Sequence, residues 1–447
     1  MTCLSERLQS APADAVVWVT SSGERISAGA LRSAVAGLDV AAWRGKRVAL
    51  AEMPVLSFLT ALVALDGVAE ALVLLPAEET GPARETRLGL TRVDAVLGAQ
   101  GLGLLPQAGA ETRDAPDASE APEAAPQGRA LAAPAAFTTE WLLPTSGTTG
   151  APKLIAHTLA SLTRSARRGA PRAPLVWASL YSLRRFAGLQ VFLQAWSEGA
   201  PLILCEDDVD LGERLQVLAR EGCSALSATP SMWRKLAMLP QSDALALSQI
   251  TLGGEIVDQP VLDMLARRFP QARITHIYAS TEAGVGFAVR DGIAGFPKAY
   301  LAPDVLPVGL RVGEEGHLWL RQPGATDWLD SGDVVRVEAE RIHFVGRANG
   351  SINVGGNKVM PEEVESVILE LPEIAFVQVR ARASAVLGSL VEAAVLPAAG
   401  AALDTELKRR VTAHCRQRLE AFKVPAFVVS AENIRVNAAG KMSRDRG

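Results

Sequence analysis

The sequence feature that most constrains the fold is a loop of small, hydroxyl and glycine residues between Thr145 and Lys153. The apolar residues before it, Trp141 to Leu143, are typical of a buried strand, so we expect the loop to leave a strand end. Glycines permit tight turns and a close approach of a ligand to the backbone. Successive N–H groups in such a loop can surround a polyphosphate, to which Lys153 adds a positive charge. The loop therefore predicts a phosphate site.

This loop has two other interpretations. It is not a Walker A loop, because Ala151 and Pro152 separate Gly150 from Lys153, whereas that motif joins glycine directly to lysine. A surface turn of serine, threonine and glycine is the alternative that needs no ligand. The residues assigned to phosphate contact are Thr145, Ser146, Gly147, Thr148, Thr149, Gly150 and Lys153.

Composition narrows the class of protein. The chain has 447 residues, which is too long for one compact domain, and its 49% hydrophobic and 21% charged residues are those of a globular protein. A net charge of −4 gives no basic surface for nucleic acid. No run approaches the ~18 apolar residues of a membrane-spanning helix.

Cysteine usage and the N-terminus predict the compartment. Cys3, Cys205, Cys223 and Cys415 are scattered without paired spacing, so neither a disulfide framework nor a zinc site is expected. The first residues lack the charged and apolar layout of a secretory signal. We therefore expect a cytoplasmic protein.

The N-terminal third predicts a layered α/β domain. Val16–Val19 and Arg47–Leu50 are strand-like, whereas Leu31–Leu38 and Pro54–Leu65 have helical patterns. The segment 107–136 is different, since it is rich in alanine, proline and acidic residues and almost lacks large apolar side chains. It predicts a flexible excursion ahead of the phosphate loop.

Two later strands end in small or polar residues. Ile250–Leu252 runs into Gly253, Gly254 and Glu255, and Ile274–Tyr278 runs into a small polar segment that ends at Glu282. Ligands of open α/β sheets bind beyond the carboxyl ends of strands. The two strand ends are therefore expected to line one crevice.

The predicted secondary structure changes twice in the C-terminal third. From about residue 306 short β-like runs alternate with turns, which predicts a β-rich subdomain. Gly346 to Gly350 interrupts this pattern, and the following residues predict a small α+β unit. We therefore predict a large N-terminal domain, 1–346, and a small mobile C-terminal domain, 347–447.

Several of these segments together resemble the adenylate-forming superfamily of acyl-CoA synthetases, peptide-synthetase adenylation domains and luciferases. The loop from Thr145 to Lys153 is similar to the family's phosphate loop, and Tyr278 to Glu282 matches its Tyr-x-x-Thr-Glu element. The resemblance implies that a carboxylate attacks the α-phosphorus of ATP in this chain. It covers essentially the whole sequence.

The resemblance also implies roles in nucleotide binding. Thr281 would hydrogen-bond the α-phosphate and Glu282 would hold Mg²⁺, which suits a hard oxygen ligand near phosphates. Asp333 and Arg347 would contact the ribose. The remaining residues that the resemblance assigns to the ATP site are Gly254, Glu255 and Ile256, which would pack on adenine, and Tyr278, Ala279 and Ser280.

In the C-terminal domain, the resemblance implies a hinge, a thiol tunnel and a catalytic lysine. Asn349 occupies the hinge position, where the family commonly has Asp or Lys, and Gly355 and Gly356 fall in the loop that lines the thiol tunnel. Lys441 would bridge the carboxylate and the α-phosphate, where a cation stabilises developing charge. Val436 replaces the proline of the family's last motif.

The segment from Tyr181 to Leu189 falls where the family builds its acyl pocket, so Arg185, Phe186 and Gly188 are assigned to it. Phe186 replaces the aspartate that binds the α-amino group in amino-acid adenylating domains. An ammonium buried without an anion is costly, so an amino-acid substrate is disfavoured. An aryl acid, or one with an extra group for Arg185, fits better; alternatively, Arg184 and Arg185 face solvent.

The sequence thus predicts an AMP-forming ligase that activates a small non-amino-acid carboxylate with ATP and Mg²⁺ and then forms a thioester. Coenzyme A is the expected thiol, and the phosphopantetheine arm of an acyl carrier protein is the alternative acceptor. Two further alternatives remain: transfer of the acyl group to an amine, and a nucleotide-binding regulatory protein without turnover.

Overall fold

A computed structural model describes most of the chain, namely residues 3–51, 53–76, 81–98, 101–104, 138–144, 154–166, 174–206, 208–384, 386–431 and 442. The predicted phosphate loop, the excursion 107–136 and Lys441 lie outside these residues. The chain divides into two compact units, here called the first unit (Met1–Pro174 with Leu183–Glu206) and the second unit (Leu175–Ser182 with Asp207–Gly447).

Helices occur in both units. In chain order they are α1 (Leu4–Ser10), α2 (Ala28–Ala36), α3 (Val55–Leu65), α4 (Gly81–Thr91), α5 (Leu159–Leu162), α6 (Phe186–Glu198), α7 (Leu211–Arg220), α8 (Pro230–Ala237), α9 (Gln259–Arg268), α10 (Pro361–Ile368) and α11 (Thr405–Arg418). In the part of the chain that the structure describes, no helix combines the length and apolar character needed to cross a membrane.

The strands are β1 (Val16–Val19), β2 (Arg25–Ser27), β3 (Arg47–Leu50), β4 (Ala71–Leu74), β5 (Ala95–Gly98), β6 (Gly101–Leu104), β7 (Glu140–Pro144), β8 (Leu154–His157), β9 (Trp177–Ser179), β10 (Leu202–Ile203), β11 (Ala225–Ala228), β12 (Gln249–Gly253), β13 (Arg273–Ser280), β14 (Gly284–Val289), β15 (Phe296–Pro297), β16 (Gly309–Val312), β17 (His317–Arg321), β18 (Leu329–Val337), β19 (Arg341–Arg347), β20 (Ile352–Val354), β21 (Asn357–Val359), β22 (Ile374–Ser384), β23 (Gly388–Pro397) and β24 (Phe427–Ser430).

The first unit contains a mixed sheet in the order β6-β5-β3-β4-β7-β8. Its inner strands β5, β3, β4 and β7 are parallel, and β6 and β8 pair antiparallel at the edges. All four residues of β4 are buried, as expected for a parallel strand covered on both faces. Trp141, Leu142 and Leu143 are buried in β7, so the predicted strand before the phosphate loop is confirmed. In the same unit β1 pairs parallel with β10 and antiparallel with β2.

The second unit begins with a sheet in which β9, β11, β12 and β13 run parallel and β14 pairs antiparallel with β13. In the register of β12 and β13, Gly253 lies opposite Ile277. The carboxyl ends of these two strands therefore meet at one edge of the sheet, and that they line one crevice stays a prediction. Between β11 and β12 in the chain, α8 begins with Pro230 at its first turn, and the Thr229 hydroxyl accepts the N–H of Met232 at 3.1 Å.

The predicted β-rich region forms an antiparallel sheet in the order β15-β19-β18-β17-β16. Its core contains Phe287, Phe296, Leu318 and Ile342, all nearly inaccessible to solvent. β19 continues to Arg347, so the interruption predicted at Gly346 begins only after the strand ends.

The remaining strands of the second unit form a sheet in the order β21-β20-β23-β22, with β24 paired to β23. Helices α10 and α11 share its core, in which Val364, Val377 and Val411 are fully buried. A side chain at Gly346 would lie 2.9 Å from the Cβ of Met360, so glycine is needed where β19 approaches the start of α10. The predicted mixed α/β fold is confirmed, whereas the division at residue 346 stays a prediction.

Candidate active site

The first part of the site is the turn after β12. Gly254 has φ +82°, a left-handed conformation that glycine adopts without strain. The hydroxyl of Tyr181 donates to the Gly253 carbonyl at 3.0 Å and ties down the strand end. Burial, followed by the negative charge of Glu255, raises the pKa of Tyr181 well above its usual value. Tyr181 therefore keeps its proton and remains a donor.

Glu255, the next residue of this turn, holds two backbone groups. Its Oε2 accepts the N–H of Ser231 at the start of α8 at 2.9 Å. Its Oε1 accepts the N–H of Met442 at 2.6 Å, although the two residues are 187 positions apart in sequence. Both Glu255 and Ile256 are half-buried. The carboxylate thus lies at the edge of the sheet and not in bulk solvent.

A buried ion pair fixes the far end of the same turn. Asp258 caps α9 by accepting the N–H of Val261 at 3.0 Å, and it receives Nη2 of Arg234 at 2.6 and 2.7 Å. The two side chains are only 9% and 10% exposed. Both ends of the segment from Gly253 to Asp258 are therefore held, by the Tyr181 hydrogen bond at one end and by this ion pair at the other.

The second part of the site is the end of β13. The Tyr278 hydroxyl donates to Oδ2 of Asp333 at 2.6 Å. The Tyr278 ring stacks between Phe287 and Phe344, with centroids 5.1 and 5.0 Å away. Burial and then the Asp333 charge raise the pKa of Tyr278, so that it stays protonated and orients the carboxylate.

Asp333 and Arg347 face each other across β18 and β19. Nε of Arg347 lies 3.1 Å from Oδ1 of Asp333, and Nη2 of Arg347 donates to the Ser331 carbonyl at 2.8 Å. The Asp333 side chain is 18% exposed and the Arg347 side chain 51% exposed. The pair is therefore held in a defined geometry and still reachable by a polar ligand such as a diol.

The turn between β13 and β14 carries the remaining polar residues at this edge. The Ser280 hydroxyl accepts the Ala283 N–H at 3.0 Å, and Gln322 donates to the Glu282 carbonyl at 3.0 Å. Ala279 and Thr281 are half-buried, whereas Glu282 is exposed. Among the described residues there is no group of three or more His, Cys, Asp or Glu side chains that could hold a metal ion. Glu282 is nevertheless of the type that suits a cation held mainly by phosphates and water.

The hinge and tunnel candidates lie farther along the second unit. Asn349 is exposed in the short turn Ala348–Gly350. Gly355 and Gly356, with φ +58° and +92°, form the turn between β20 and β21. The Gly355 N–H donates to the Leu387 carbonyl at 3.0 Å. The roles of Asn349, Gly355 and Gly356 stay predictions.

In the acyl-pocket segment, Arg184 does not face solvent. It is 3% exposed, and its guanidinium donates to the carbonyls of Ala51, at 2.8 Å, and of Met53. The guanidinium carbon also lies 4.3 Å from the centroid of the Phe58 ring. The solvent-facing alternative is therefore wrong for Arg184, because buried carbonyls bind this side chain.

The neighbouring residues differ from Arg184. Arg185 is half-buried and precedes the first turn of α6, which begins at Phe186. Phe186 is buried, with its ring centroid 5.7 Å from that of His157, and Gly188 is buried in the same helix. Arg185, Phe186 and Gly188 thus lie together, and their assignment to an acyl pocket stays a prediction.

Sequence analysis missed several residues that shape this region. The sequence placed Tyr181 only at the start of the acyl-pocket segment, and it did not reveal the contact of Tyr181 with Gly253, the partners of Glu255, or the ion pair of Arg234 and Asp258. The helix-capping residues Thr229 and Asp258 carry a local signal, since each precedes a proline-containing helix start. The long-range partners of Glu255 carry no such sequence signal, because no spacing rule connects residue 255 with residue 442.

Two family models match the chain. The AMP-binding enzyme model matches residues 22–327, and the model of the AMP-binding enzyme C-terminal domain matches residues 363–441. The chain therefore belongs to the family of AMP-binding enzymes, and the resemblance to the adenylate-forming superfamily is confirmed.

Similar proteins include ligases of aryl acids. A p-hydroxybenzoic acid–AMP ligase of Mycobacterium marinum is 26% identical over 333 residues, which is 67% of this chain and 47% of that protein. The chain thus spans about half the length of that relative. A feruloyl-CoA synthase of an Amycolatopsis species is 27% identical over 346 residues, 67% of each protein.

Solved structures share the fold. The structure of an anthranilate CoA ligase in complex with anthranoyl-AMP matches with a TM-score of 0.78 and 16% identity, over 98% of this chain and 95% of that one. At this identity the likeness shows a common architecture.

Proposed function

We propose that this AMP-binding enzyme is an AMP-forming acid–thiol ligase. In the first step a carboxylate oxygen attacks the α-phosphorus of ATP, the bond to the β-phosphate oxygen breaks, and pyrophosphate leaves. In the second step a thiol sulfur attacks the carbonyl carbon of the acyl-adenylate, the thiol proton is lost, and AMP leaves with the acyl oxygen. The observation that carries the proposal is the oriented pair of Asp333 and Arg347 beside Tyr278.

The nucleoside half of ATP fits the edge formed by β12, β13 and β18. Asp333 accepts hydrogen bonds from the ribose hydroxyls, and Arg347, already aligned by Ser331, reaches the same sugar. The backbone of Gly254, Glu255 and Ile256 receives the adenine ring. Support comes from the contacts that already hold Gly253, Asp258 and Asp333 in place, since a prepared surface loses little entropy when a ligand binds.

The phosphates are assigned to the loop from Thr145 to Lys153, to Thr281 and to Lys441. Glu282 would hold Mg²⁺ together with phosphate oxygens, and the ion would neutralise charge on the leaving pyrophosphate. Lys441 donates to the carboxylate and to an α-phosphate oxygen, which places a positive charge where negative charge develops.

The acid is proposed to be an aryl carboxylate that lacks an α-ammonium group. Phe186 and His157 provide aromatic surface, and Arg185 can bind an anionic or hydrogen-bonding substituent on the acid. The names of three similar proteins refer to p-hydroxybenzoic acid, feruloyl-CoA and anthranilate, which supports an aryl substrate class.

Coenzyme A is the proposed acceptor thiol. The feruloyl and anthranilate ligases are named for coenzyme A, which favours it. The p-hydroxybenzoic acid–AMP ligase is named for the adenylate alone, so the pantetheine arm of an acyl carrier protein is the second candidate.

The test is pyrophosphate release with ATP and Mg²⁺ over a panel of aryl, aliphatic and dicarboxylic acids, with and without coenzyme A or a carrier protein. We expect release with an aryl acid and thioester formation with coenzyme A. Release without any thioester would indicate transfer to an amine, and no release with any acid would indicate a regulatory nucleotide-binding protein. Lys441→Ala should abolish adenylation and spare thioester formation from synthetic adenylate; equal loss of both steps would refute its role.

A further inference from the structure

We propose that Glu255 is a positioning residue that binds the backbone beside Lys441 and holds that lysine ready for adenylation. The inference rests on the proposed function, and it adds a role for the Glu255 side chain to the backbone role in adenine binding. The contact that carries it is the 2.6 Å hydrogen bond from the N–H of Met442 to Oε1 of Glu255. Met442 directly follows Lys441 in the chain.

The bond is of a strong type. Hydrogen bonds from a backbone N–H to a carboxylate are short and about twice as strong as those between neutral groups. Glu255 is half-buried, which reduces competition from water. Its other oxygen is bound to the Ser231 N–H at 2.9 Å, so the two carboxylate oxygens hold two separate parts of the chain.

Neighbouring contacts in the turn after β12 hold the Glu255 carboxylate in position to accept this hydrogen bond. Gly254 turns the chain in a left-handed conformation, and Tyr181 fixes the preceding carbonyl of Gly253. Three residues later, Asp258 is held by Arg234. Because Glu255 lies between two fixed points and is bound to Ser231, little freedom is lost when it accepts the Met442 N–H.

The hydrogen bond between Met442 and Glu255 matters because it limits where the ammonium group of Lys441 can lie. A catalytic group that is misplaced by about 1 Å can cost roughly 100-fold in rate, so a long side chain needs a fixed backbone. The hydrogen bond ties the backbone one residue from Lys441 to the turn that receives adenine. The donor is a main-chain group, so the side chain at 442 is not what Glu255 recognises; only proline, which lacks the N–H, removes the bond.

The experiment separates the two half-reactions. Met442→Pro removes the donor and leaves the contact of Glu255 with Ser231 in place, and it is compared with Met442→Ala, which keeps the N–H. We expect Met442→Pro to slow ATP-dependent pyrophosphate exchange by about 10- to 100-fold relative to Met442→Ala, as for a lost bond to a charged group. Thioester formation from synthetic acyl-adenylate should fall much less, because the bond serves only adenylation.

A double-mutant cycle excludes an indirect effect of proline on the conformation of Lys441. Glu255→Ala removes both acceptor oxygens and with them the bonds to Met442 and Ser231. If both substitutions act through the same bond, the loss in Glu255→Ala/Met442→Pro will be close to that of the larger single variant. Thermal unfolding of each variant checks that the fold is retained.

The outcomes are distinguishable. Additive losses, or equal loss of both half-reactions in Met442→Pro, would overturn the role of Glu255 while the wild-type chain still adenylates. A wild-type chain that releases no pyrophosphate with any acid would overturn the proposed function, and this inference with it.

Discussion

Two regions use their charged residues differently: the edge of the second unit around Asp333 and Arg347, proposed here as the nucleotide edge, and the first-unit segment Arg184–Gly188, proposed in part as the acyl segment. At the nucleotide edge, Asp333 and Arg347 bind each other and Tyr278 while remaining partly accessible. In the acyl segment, Arg184 is buried and its guanidinium is bound to main-chain carbonyls. The pair of Asp333 and Arg347 is therefore still accessible to a ligand, whereas Arg184 is bound within the fold.

The strongest test of this comparison is Asp333→Ala. The substitution removes the proposed ribose acceptor and the common partner of Tyr278 and Arg347. We expect kcat/KM for ATP in pyrophosphate exchange to fall roughly 1000-fold, about 4 kcal/mol, since several charge-assisted contacts are lost together. Asp327→Ala, which removes an exposed carboxylate in the same unit, is the matched control. A loss below tenfold would show that Asp333 is not a nucleotide ligand.

The pH dependence of the free energy of unfolding should have opposite signs for His276 in the second unit and Asp66 in the first unit. Burial lowers the pKa of His276, on β13, from 6.5 to about 4. The unfolded chain therefore binds a proton more readily, and the contribution of neutral His276 is present above pH 6.5 and lost as the pH falls through about 4. The loss is on the order of 3 kcal/mol.

In the first unit, burial raises the pKa of Asp66 to about 6, so its contribution is present below pH 3.8 and lost as the pH rises through about 6.

Urea unfolding of His276→Gln and Asp66→Asn between pH 4 and pH 7 measures these contributions. His276→Gln should be less sensitive to acid than the wild-type chain. Asp66→Asn should lack the decline that Asp66 causes as the pH rises. Identical pH profiles in all three proteins would contradict the assigned burial of both groups.

Arg184→Ala tests whether the buried arginine serves the fold. It leaves the carbonyls of Ala51 and Met53 without this donor and removes the contact with Phe58. We expect a loss of about 2 kcal/mol in the free energy of unfolding. In the fraction that stays folded, KM for the acid should be unchanged. A stable variant with altered acid preference would place Arg184 in the acyl pocket.

Arg185→Ala, in contrast to Arg184→Ala, should change catalysis and not stability, and the expected effect is smaller. The side chain is half-buried beside Phe186, so its removal is expected to leave stability nearly unchanged. For acids with an anionic or hydrogen-bonding substituent, kcat/KM should fall about tenfold, near 1.4 kcal/mol. For unsubstituted acids it should change little. Equal effects on both kinds of acid would remove Arg185 from the substrate site.

The two regions also show why sequence patterns predict some features and not others. The strands that end at Gly253 and at Ser280 were predictable, because parallel pairing places such ends at one edge. The ends of several elements differ from the prediction; the expected strand Ile274–Tyr278, for example, extends from Arg273 to Ser280. Such shifts arise because pairing with neighbouring strands decides where a strand begins.

The burial of charged groups could not be predicted in the same way. Arg184 and Arg185 are adjacent and chemically identical, and only tertiary packing makes one of them an internal donor. The partners of Glu255 were equally hidden, since they come from the start of α8 and from residue 442. The family motif predicted which residues gather at the edge, but not the bonds that hold them.

The most direct test of the account is detection of the acyl-adenylate itself. The chain is incubated with ATP, Mg²⁺ and a panel of aryl acids without any thiol, and acyl-AMP is measured by mass spectrometry for the wild type and for Asp333→Ala. We expect an aryl-AMP from the wild type and at most a trace from Asp333→Ala. Adenylate formed equally well by both proteins would contradict the assignment of the nucleotide site to this edge of the sheet.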